Sequence, residues 1–130
     1  MQSQVKIDNP TIDQEDIIGV RRLTVNVKFY YRVFIARNEP YARKIVSAMK
    51  AQDAKFRGCY VDRLKNDSSL SGFMHFELNA SMLGVKTLSF ISGSVKDTYL
   101  KNCLASSFKN ISVNGPIHGK VSFFFSQSNT

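Results

Sequence analysis

The chain has 130 residues, of which 43% are hydrophobic and 22% charged, and this length suits one domain with a single core. The apolar content excludes a disordered chain, and no apolar run approaches the roughly 20 residues that a membrane-spanning helix needs. With two His, two Cys, no Trp and no cluster of reactive side chains, the composition gives catalysis little support. We therefore expect a protein that is not an enzyme and that uses no metal or other cofactor.

Charge is unevenly distributed along the chain. Eighteen Lys and Arg against ten Asp and Glu give a net charge of +8, yet the first twenty residues hold one base and four acids. Residues 21–130 carry 17 bases and six acids, or +11. A basic body attracts nucleic acid, lipid headgroups or acidic protein surfaces, although Lys and Arg also simply keep a surface solvated. We predict an acidic flexible arm over residues 1–20 and a folded domain over residues 21–130.

The strongest pattern near the start of the chain is an alternation of apolar and polar side chains. Such alternation predicts one long strand with a continuous buried face. The apolar positions are Leu23, Val25, Val27, Phe29, Tyr31, Val33 and Ile35. From Pro40 the spacing becomes helical, with an apolar stripe that continues to Leu64 and is interrupted at Gln52 and Asp53.

The rest of the chain predicts three more strands and one more helix. Strands are expected over residues 72–78 and 85–91, followed by a helix capped by Ser94 or Asp97 and a last strand over residues 120–126. The order is then βαββαβ. We predict an α+β two-layer sandwich in which one antiparallel sheet carries both helices on one face.

The two cysteines, Cys59 and Cys103, fall on the apolar stripes of the two predicted helices. If both helices pack on one sheet face, a disulfide would close a loop of about 45 residues and stabilise the fold by on the order of 3–4 kcal/mol. Such a bond persists in an oxidising compartment such as the periplasm. Two buried cysteines that merely fill space are an equally good interpretation of the spacing.

The polar side of the first strand favours a second kind of function. A basic βαββαβ domain is similar to RNA-recognition modules, which stack bases on aromatic side chains of a sheet. The residues that would line such a face are Lys28, Tyr30, Arg32 and Phe34. The strand over residues 85–91 lacks the aromatic signature of those modules, so coverage of Tyr30 and Phe34 by the arm or by a partner is the competing interpretation.

From Phe56 onward, five short motifs occur in a characteristic order. They are a hydrophobic residue three before Cys-Tyr, then Leu-x-Gly, Gly-Val, apolar-x-x-Cys-apolar and Gly-x-Val-x-aromatic. In this chain they read Phe56-Arg57-Gly58-Cys59-Tyr60, Leu70-Ser71-Gly72, Gly84-Val85, Leu100-Lys101-Asn102-Cys103-Leu104, and Gly119-Lys120-Val121-Ser122-Phe123-Phe124-Phe125. This pattern resembles the TonB-like C-terminal domain of AgmX/PglI-type proteins, which are associated with gliding motility.

The resemblance implies a periplasmic domain of a cell-envelope complex, with Cys59 and Cys103 joined by a disulfide and any signal or anchor outside this chain. It also implies a TonB-like mechanism, in which an extended peptide is held along a sheet edge. We expect that edge to be the last strand, or else the first, because both are rich in apolar groups and poor in charge. The last-strand residues are Lys120, Val121, Ser122, Phe123, Phe124 and Phe125.

The sequence therefore predicts a non-enzymatic protein-interaction or force-transducing module whose partner is an envelope protein or an extended peptide. The chain itself is not expected to span a membrane. The alternatives are a basic domain that binds RNA or single-stranded DNA in the cytoplasm, and a structural subunit of a larger assembly.

Overall fold

The computed structural model describes residues 2–8, 12–18, 21–36, 39–113 and 116–129, with side chains described over 27–35, 43–113 and 116–128. In chain order the elements are β1 (Gln2–Asp8), β2 (Ile12–Ile18), β3 (Arg21–Ala36), α1 (Glu39–Lys50), α2 (Asp53–Leu64), β4 (Gly72–Ala80), β5 (Lys86–Gly93), α3 (Thr98–Lys109) and β6 (Ile117–Asn129). All six strands belong to one sheet, and the α+β class is confirmed.

The strands lie in the order β1-β3-β6-β4-β5, and each neighbouring pair is antiparallel. β2 also pairs with β3. It faces residues 21–27 of that strand, whereas β1 faces residues 30–36, so the two short strands follow one another along the same side of β3. β6 is central, between β3 and β4.

The observed element order differs from the predicted βαββαβ order in two places. First, residues 2–8 and 12–18 form strands, where the sequence analysis expected a flexible arm. Second, the first predicted helix is two helices, α1 and α2, separated by Ala51 and Gln52. The strand over 12–18 was missed because its sequence, IDQEDII, has a polar middle and no alternation, and its partner in β3 supplies the backbone hydrogen bonds that define it.

The break between α1 and α2 has a physical cause at Gln52 and Asp53. An uninterrupted helix would hold both polar side chains on its apolar stripe. The turn instead places Asp53 in the first turn of α2, where the helix dipole favours a carboxylate, and Asp53 accepts a hydrogen bond of 2.8 Å from the Tyr31 hydroxyl. Burial, and secondarily this hydrogen bond, raise the pKa of Tyr31 far above its ordinary value.

The core lies between the helices and one side of the sheet. Five of the seven residues of the predicted buried face of β3 are each at most 1% exposed: Val27, Phe29, Tyr31, Val33 and Ile35. The other two, Leu23 and Val25, lie outside the described side chains. Met74, Phe76 and Leu78 of β4 are fully buried on the same side, as the alternation predicted. The ring of Phe123 in β6 lies at the centre of the core. Its centroid is 5.5–5.9 Å from the ring centroids of Phe29, Tyr31, Phe56 and Phe76. We call this the helix side and the opposite one the open side.

Candidate protein-interaction site

Cys59 on α2 and Cys103 on α3 form a disulfide with an S–S distance of 2.04 Å, and the chain has no free cysteine. The pairing implied by the family resemblance is thereby confirmed. Cys59 is 2% exposed, and its sulfur lies 3.7 Å from the hydroxyl of Ser107, which is the donor because a disulfide sulfur carries no hydrogen. The bond is consistent with an oxidising compartment.

An ion pair also joins these two helices. Asp97 caps α3 by accepting a 2.8 Å hydrogen bond from the Leu100 N–H, and Arg63 of α2 donates to its other oxygen at 2.8 and 3.0 Å. Desolvation acts to raise the pKa of Asp97, but the hydrogen bonds from Leu100 and Arg63 outweigh it and hold that pKa below its ordinary value. α2 and α3 are therefore clamped together by the disulfide, by this ion pair and by a hydrogen bond of 2.6 Å from the Tyr99 hydroxyl to Asp62.

The predicted partner-binding edge on the last strand is wrong. Each of its residues pairs with β3 on one side and β4 on the other: Lys120, Val121, Ser122, Phe123, Phe124 and Phe125. A strand with two neighbours has used its main-chain groups on both sides and offers no free edge. The first predicted strand, β3, likewise has neighbours on both sides. The apolar content of β6 reflects the packing of a central strand on both of its faces.

β5 lies at one edge of the sheet and, within the described part of the chain, pairs with β4 alone. β1 and β2 form the opposite edge, where among the described residues each pairs with β3 alone, but β5 is the edge strand whose side chains are described. The Ser81 N–H donates to the Val85 carbonyl at 2.9 Å, so this position is a hydrogen-bonded pair. Because such pairs alternate along an antiparallel ladder, Thr87 and Ser89 bond to β4 as well. The alternate residues then direct their N–H and C=O groups outward, and we call them the β5 edge: Lys86, Leu88 and Phe90.

Apolar side chains are exposed at both ends of the β5 edge. Val85 is 62% exposed at its start and Ile91 is 50% exposed at its end. The register shifts at Ile91, which falls between the Phe76–Phe90 and His75–Ser92 pairs. A bulge of this kind ends regular pairing, so the part of the strand that can accept a neighbour is residues 86–90.

Two depressions lie near the start of β5, one on the helix side and one at the end of the sheet, where residues of both sides line it. A cleft of about 930 Å³ is lined by basic and small side chains: Arg43, Lys44, Ser47, Ala48, Lys86, Ser112 and Val113. A mostly apolar depression of about 640 Å³ includes Val85, Thr87 and Ile117 in its lining. We call these the basic cleft and the apolar pocket. Residues 85, 86 and 87 are successive, so their side chains point alternately to the two sides of the sheet.

The open side of the sheet carries the aromatic and basic residues that the sequence analysis singled out. Lys28, Tyr30, Arg32 and Phe34 lie there on β3, and the Tyr30 ring stacks on Phe124 of β6 with centroids 4.9 Å apart. The Arg32 guanidinium lies 5.4 Å from the Phe124 ring centre, and the Lys28 ammonium 5.8 Å from that of Tyr30. These four residues therefore do share one surface.

Three residues complete this open-side cluster, and the sequence analysis did not include them in it. Phe124 supplies the ring on which Tyr30 stacks. The ring centroids of Phe73 and His75 in β4 lie 6.4 and 6.3 Å from the centroid of Phe124. His75 Nδ1 lies 2.6 Å from the Ser122 hydroxyl. Phe124 interrupts the polar side of its strand, and that interruption was the available signal of a second apolar surface.

The described residues contain no candidate metal site and no candidate membrane-spanning helix. In that part of the chain there is no group of three or more metal-ligating side chains, and no helix has the length and apolar content to cross a bilayer. Comparison with family models, with curated proteins and with solved structures found no match to the chain. Among the described side chains, the β5 edge with its neighbouring depressions and the open-side cluster are two surfaces that support an interaction.

Proposed function

We propose that this chain is a non-enzymatic protein-interaction module that binds an extended segment of a partner protein along the β5 edge. The observation that carries the proposal is the outward direction of the main-chain groups of Lys86, Leu88 and Phe90, which have no partner strand within the described residues. A partner strand would supply the complementary donors and acceptors. Val85 and Ile91, exposed at the two ends, would add apolar contact.

The clamped helices support this use of β5. α3 packs against β5, and the disulfide and the Arg63–Asp97 ion pair hold α3 to α2. The edge is therefore backed by elements that do not have to be ordered on binding. Binding to a pre-organised edge loses less free energy to ordering than binding to a mobile one.

We further propose that the module belongs to a cell-envelope complex of the TonB-like kind, in which it holds a partner and transmits position or force. The disulfide supports an oxidising compartment such as the periplasm. The five motifs from Phe56 onward support the TonB-like assignment.

The main-chain part of the proposal is tested by replacing Lys86 with proline and with alanine. Both variants lose the same charge, but only Lys86→Pro removes the outward N–H, and the first residue of an edge strand is a position that tolerates proline. Random eight-residue peptides are displayed and selected on the oxidised wild-type protein. We expect the enriched peptides to lose binding at least tenfold with Lys86→Pro and to keep most of it with Lys86→Ala.

Amide hydrogen exchange of the bound protein gives an independent measurement. Binding at the β5 edge should protect the amides of Lys86, Leu88 and Phe90, while those of Thr87 and Ser89 are already paired with β4 and should change little. Selection that enriches no peptide, or peptides that bind Lys86→Pro as well as wild type, would contradict the proposal.

The open-side cluster supports a second candidate, binding of single-stranded nucleic acid. Lys28 and Arg32 beside the Tyr30 and Phe124 rings combine cations with stacking surfaces, as single-strand binding requires. Binding of a labelled oligothymidine should then survive moderate salt and fall by roughly tenfold or more with Tyr30→Ala, since one stacked base contributes about 1–3 kcal/mol. Tyr99→Ala, which removes an exposed tyrosine of α3, is the control. Affinity that vanishes at moderate salt and is indifferent to Tyr30→Ala would reflect net charge alone.

A further inference from the structure

The two sides of the sheet differ in charge along β5. On the helix side, Lys86 lines the basic cleft together with Arg43 and Lys44, and no acidic residue is among the described residues that line it. Further along the same side, the Lys101 ammonium of α3 lies 5.2 Å from the centre of the Phe90 ring. The helix side is therefore basic at both ends of the β5 edge.

On the open side, β5 itself carries no charge, since the residues directed there are Val85, Thr87 and Ser89. Glu77 of β4 is paired in register with Ser89 and accepts a hydrogen bond of 3.3 Å from the Asn79 amide. Val85 and Thr87 line the apolar pocket on this side. An acidic side chain brought here would meet no cation on β5 and would lie nearer to Glu77 than to Lys120, which is one strand further away in β6. An apolar side chain would instead bury surface against Val85 and Thr87.

An added strand would present its side chains to these two environments in strict alternation. Successive residues of an extended chain point to opposite sides of the sheet that it joins. One set of alternate residues would face the basic cleft and Lys101, and the other would face Val85, Thr87 and the apolar pocket. Pockets that read alternate side chains are the usual source of specificity in strand addition.

We infer that the partner segment alternates acidic with apolar residues, its carboxylates directed to the basic cleft and Lys101 and its apolar side chains to the apolar pocket. This inference rests on the proposed binding along the β5 edge and names the chemistry of the segment bound there. We expect an advantage of roughly three- to tenfold in affinity, which is about 0.7–1.4 kcal/mol and corresponds to two or three solvent-exposed ion pairs of average strength.

The experiment uses three acetylated hexapeptides and the oxidised protein. In the first, glutamate alternates with valine; in the second, glutamine replaces glutamate; in the third, three glutamates precede three valines. The alternating design presents the same pattern in every register, and the third peptide keeps composition and charge while removing the alternation. We expect the first to bind roughly three- to tenfold more tightly than either of the others at about 50 mM salt, and this advantage over the glutamine peptide to shrink at about 0.5 M salt.

Matched variants locate the acidic selectivity. Arg43→Gln combined with Lys101→Gln should reduce the preference for glutamate over glutamine to less than about twofold. Lys55→Gln combined with Lys109→Gln removes the same charge at two exposed positions outside the basic cleft and should leave the preference unchanged. An equal loss of preference in both double variants would mean that net charge, and not the basic cleft, selects glutamate, which would overturn the inference.

Lys86→Pro separates this inference from the proposed function. If the alternating glutamate peptide no longer binds the Lys86→Pro variant, and Arg43 and Lys101 carry the preference for glutamate over glutamine, both the proposed function and this inference are supported. If the glutamate and glutamine peptides bind equally well and Lys86→Pro abolishes both, binding at the edge stands and the acidic selectivity is wrong. If no peptide binds, or if Lys86→Pro binds as well as wild type, binding at the edge fails and the inference fails with it.

Discussion

β6 and β5 lie on either side of β4 and use their apolar side chains in opposite ways. β6 directs Val121, Phe123 and Phe125 to the core at 0–3% exposure and still places Phe124 against Tyr30 on the open side. β5 buries Leu88 and leaves Ile91 half exposed. An apolar residue on each side of a strand is thus the mark of a central position, whereas the strand that can accept a partner has a mixed and less apolar sequence.

This difference separates stability from recognition. Residues of β6 contact both neighbouring strands and the helices, so changes there should act on the free energy of unfolding. The outward main-chain groups of β5 contact no other strand of the described structure, so changes there should act on binding and little on stability. Substitutions in each of the two strands test whether β6 determines stability and β5 determines binding.

The largest effect is expected for Phe123→Ala in β6. Phe123 is 0% exposed and lies among four aromatic rings, so its truncation should lower the free energy of unfolding by about 3–5 kcal/mol. Its neighbour Phe124 stacks on Tyr30 at the open side, and Phe124→Ala should cost about 1 kcal/mol. Urea denaturation of the oxidised proteins measures both. Equal losses for the two variants would mean that the open side is as tightly packed as the core.

Loss of the disulfide should have the next largest effect. Opening a loop of about 45 residues lowers the free energy of unfolding by roughly 2–4 kcal/mol, mainly because the unfolded chain gains entropy. Thermal unfolding with and without reductant measures it, and the Cys59→Ala/Cys103→Ala variant serves as a control that reductant should not affect. Peptide binding should persist below the unfolding transition, since α3 still packs on β5. Unchanged stability on reduction would contradict the role of the bond as a clamp.

Sequence patterns predicted the buried faces because burial depends on local alternation. The residues at odd positions from Val27 to Ile35 and the α3 stripe at Leu100, Leu104 and Phe108 are buried as expected. Strand order is a different kind of property, since it depends on which strands pair over long distances in the chain. Phe124 on the otherwise polar side of residues 120–125 indicated a second apolar surface, but the sequence of a strand does not say which strands pair with it, and the predicted edge was therefore wrong.

The helix pattern contained a local signal of the break between α1 and α2. Gln52 and Asp53 interrupt the apolar stripe, and the chain responds by ending α1 and beginning α2. The partner that makes the break favourable, the buried hydroxyl of Tyr31, comes from β3 and is found only once the fold is known. The basic cleft is hidden for the same reason, because Arg43 and Lys86 are far apart in sequence and meet only in the folded chain.

A smaller effect is expected at the ion pair that joins α2 to α3. Asp97→Ala removes both the cap of α3 and the partner of Arg63, and should lower the free energy of unfolding by about 1–2 kcal/mol at pH 7. Asp97→Asn keeps a capping oxygen and should cost less than Asp97→Ala. Urea denaturation of the three proteins measures the difference.

The cost of Asp97→Ala should depend on pH in one direction. Because folding lowers the pKa of Asp97, the ionised carboxylate stabilises the fold above the ordinary aspartate pKa of about 3.9. That contribution is lost as the pH falls from this value through the lower pKa of the folded state. The difference between wild type and Asp97→Ala should therefore shrink from pH 7 to about pH 3, and a difference that grows on acidification would contradict the assignment.

The smallest effect on stability is expected for Lys86→Pro. Its N–H points away from β4, so proline there should lower the free energy of unfolding by less than about 1 kcal/mol. Thr87→Pro, one residue later, removes an N–H that bonds to β4 and should cost about 3 kcal/mol. Urea denaturation of the two variants measures the loss in free energy of unfolding when each N–H is removed. The reverse order would mean that the outward groups of β5 belong to Thr87 and Ser89, and similar losses for both variants would contradict the assignment of an outward N–H to Lys86.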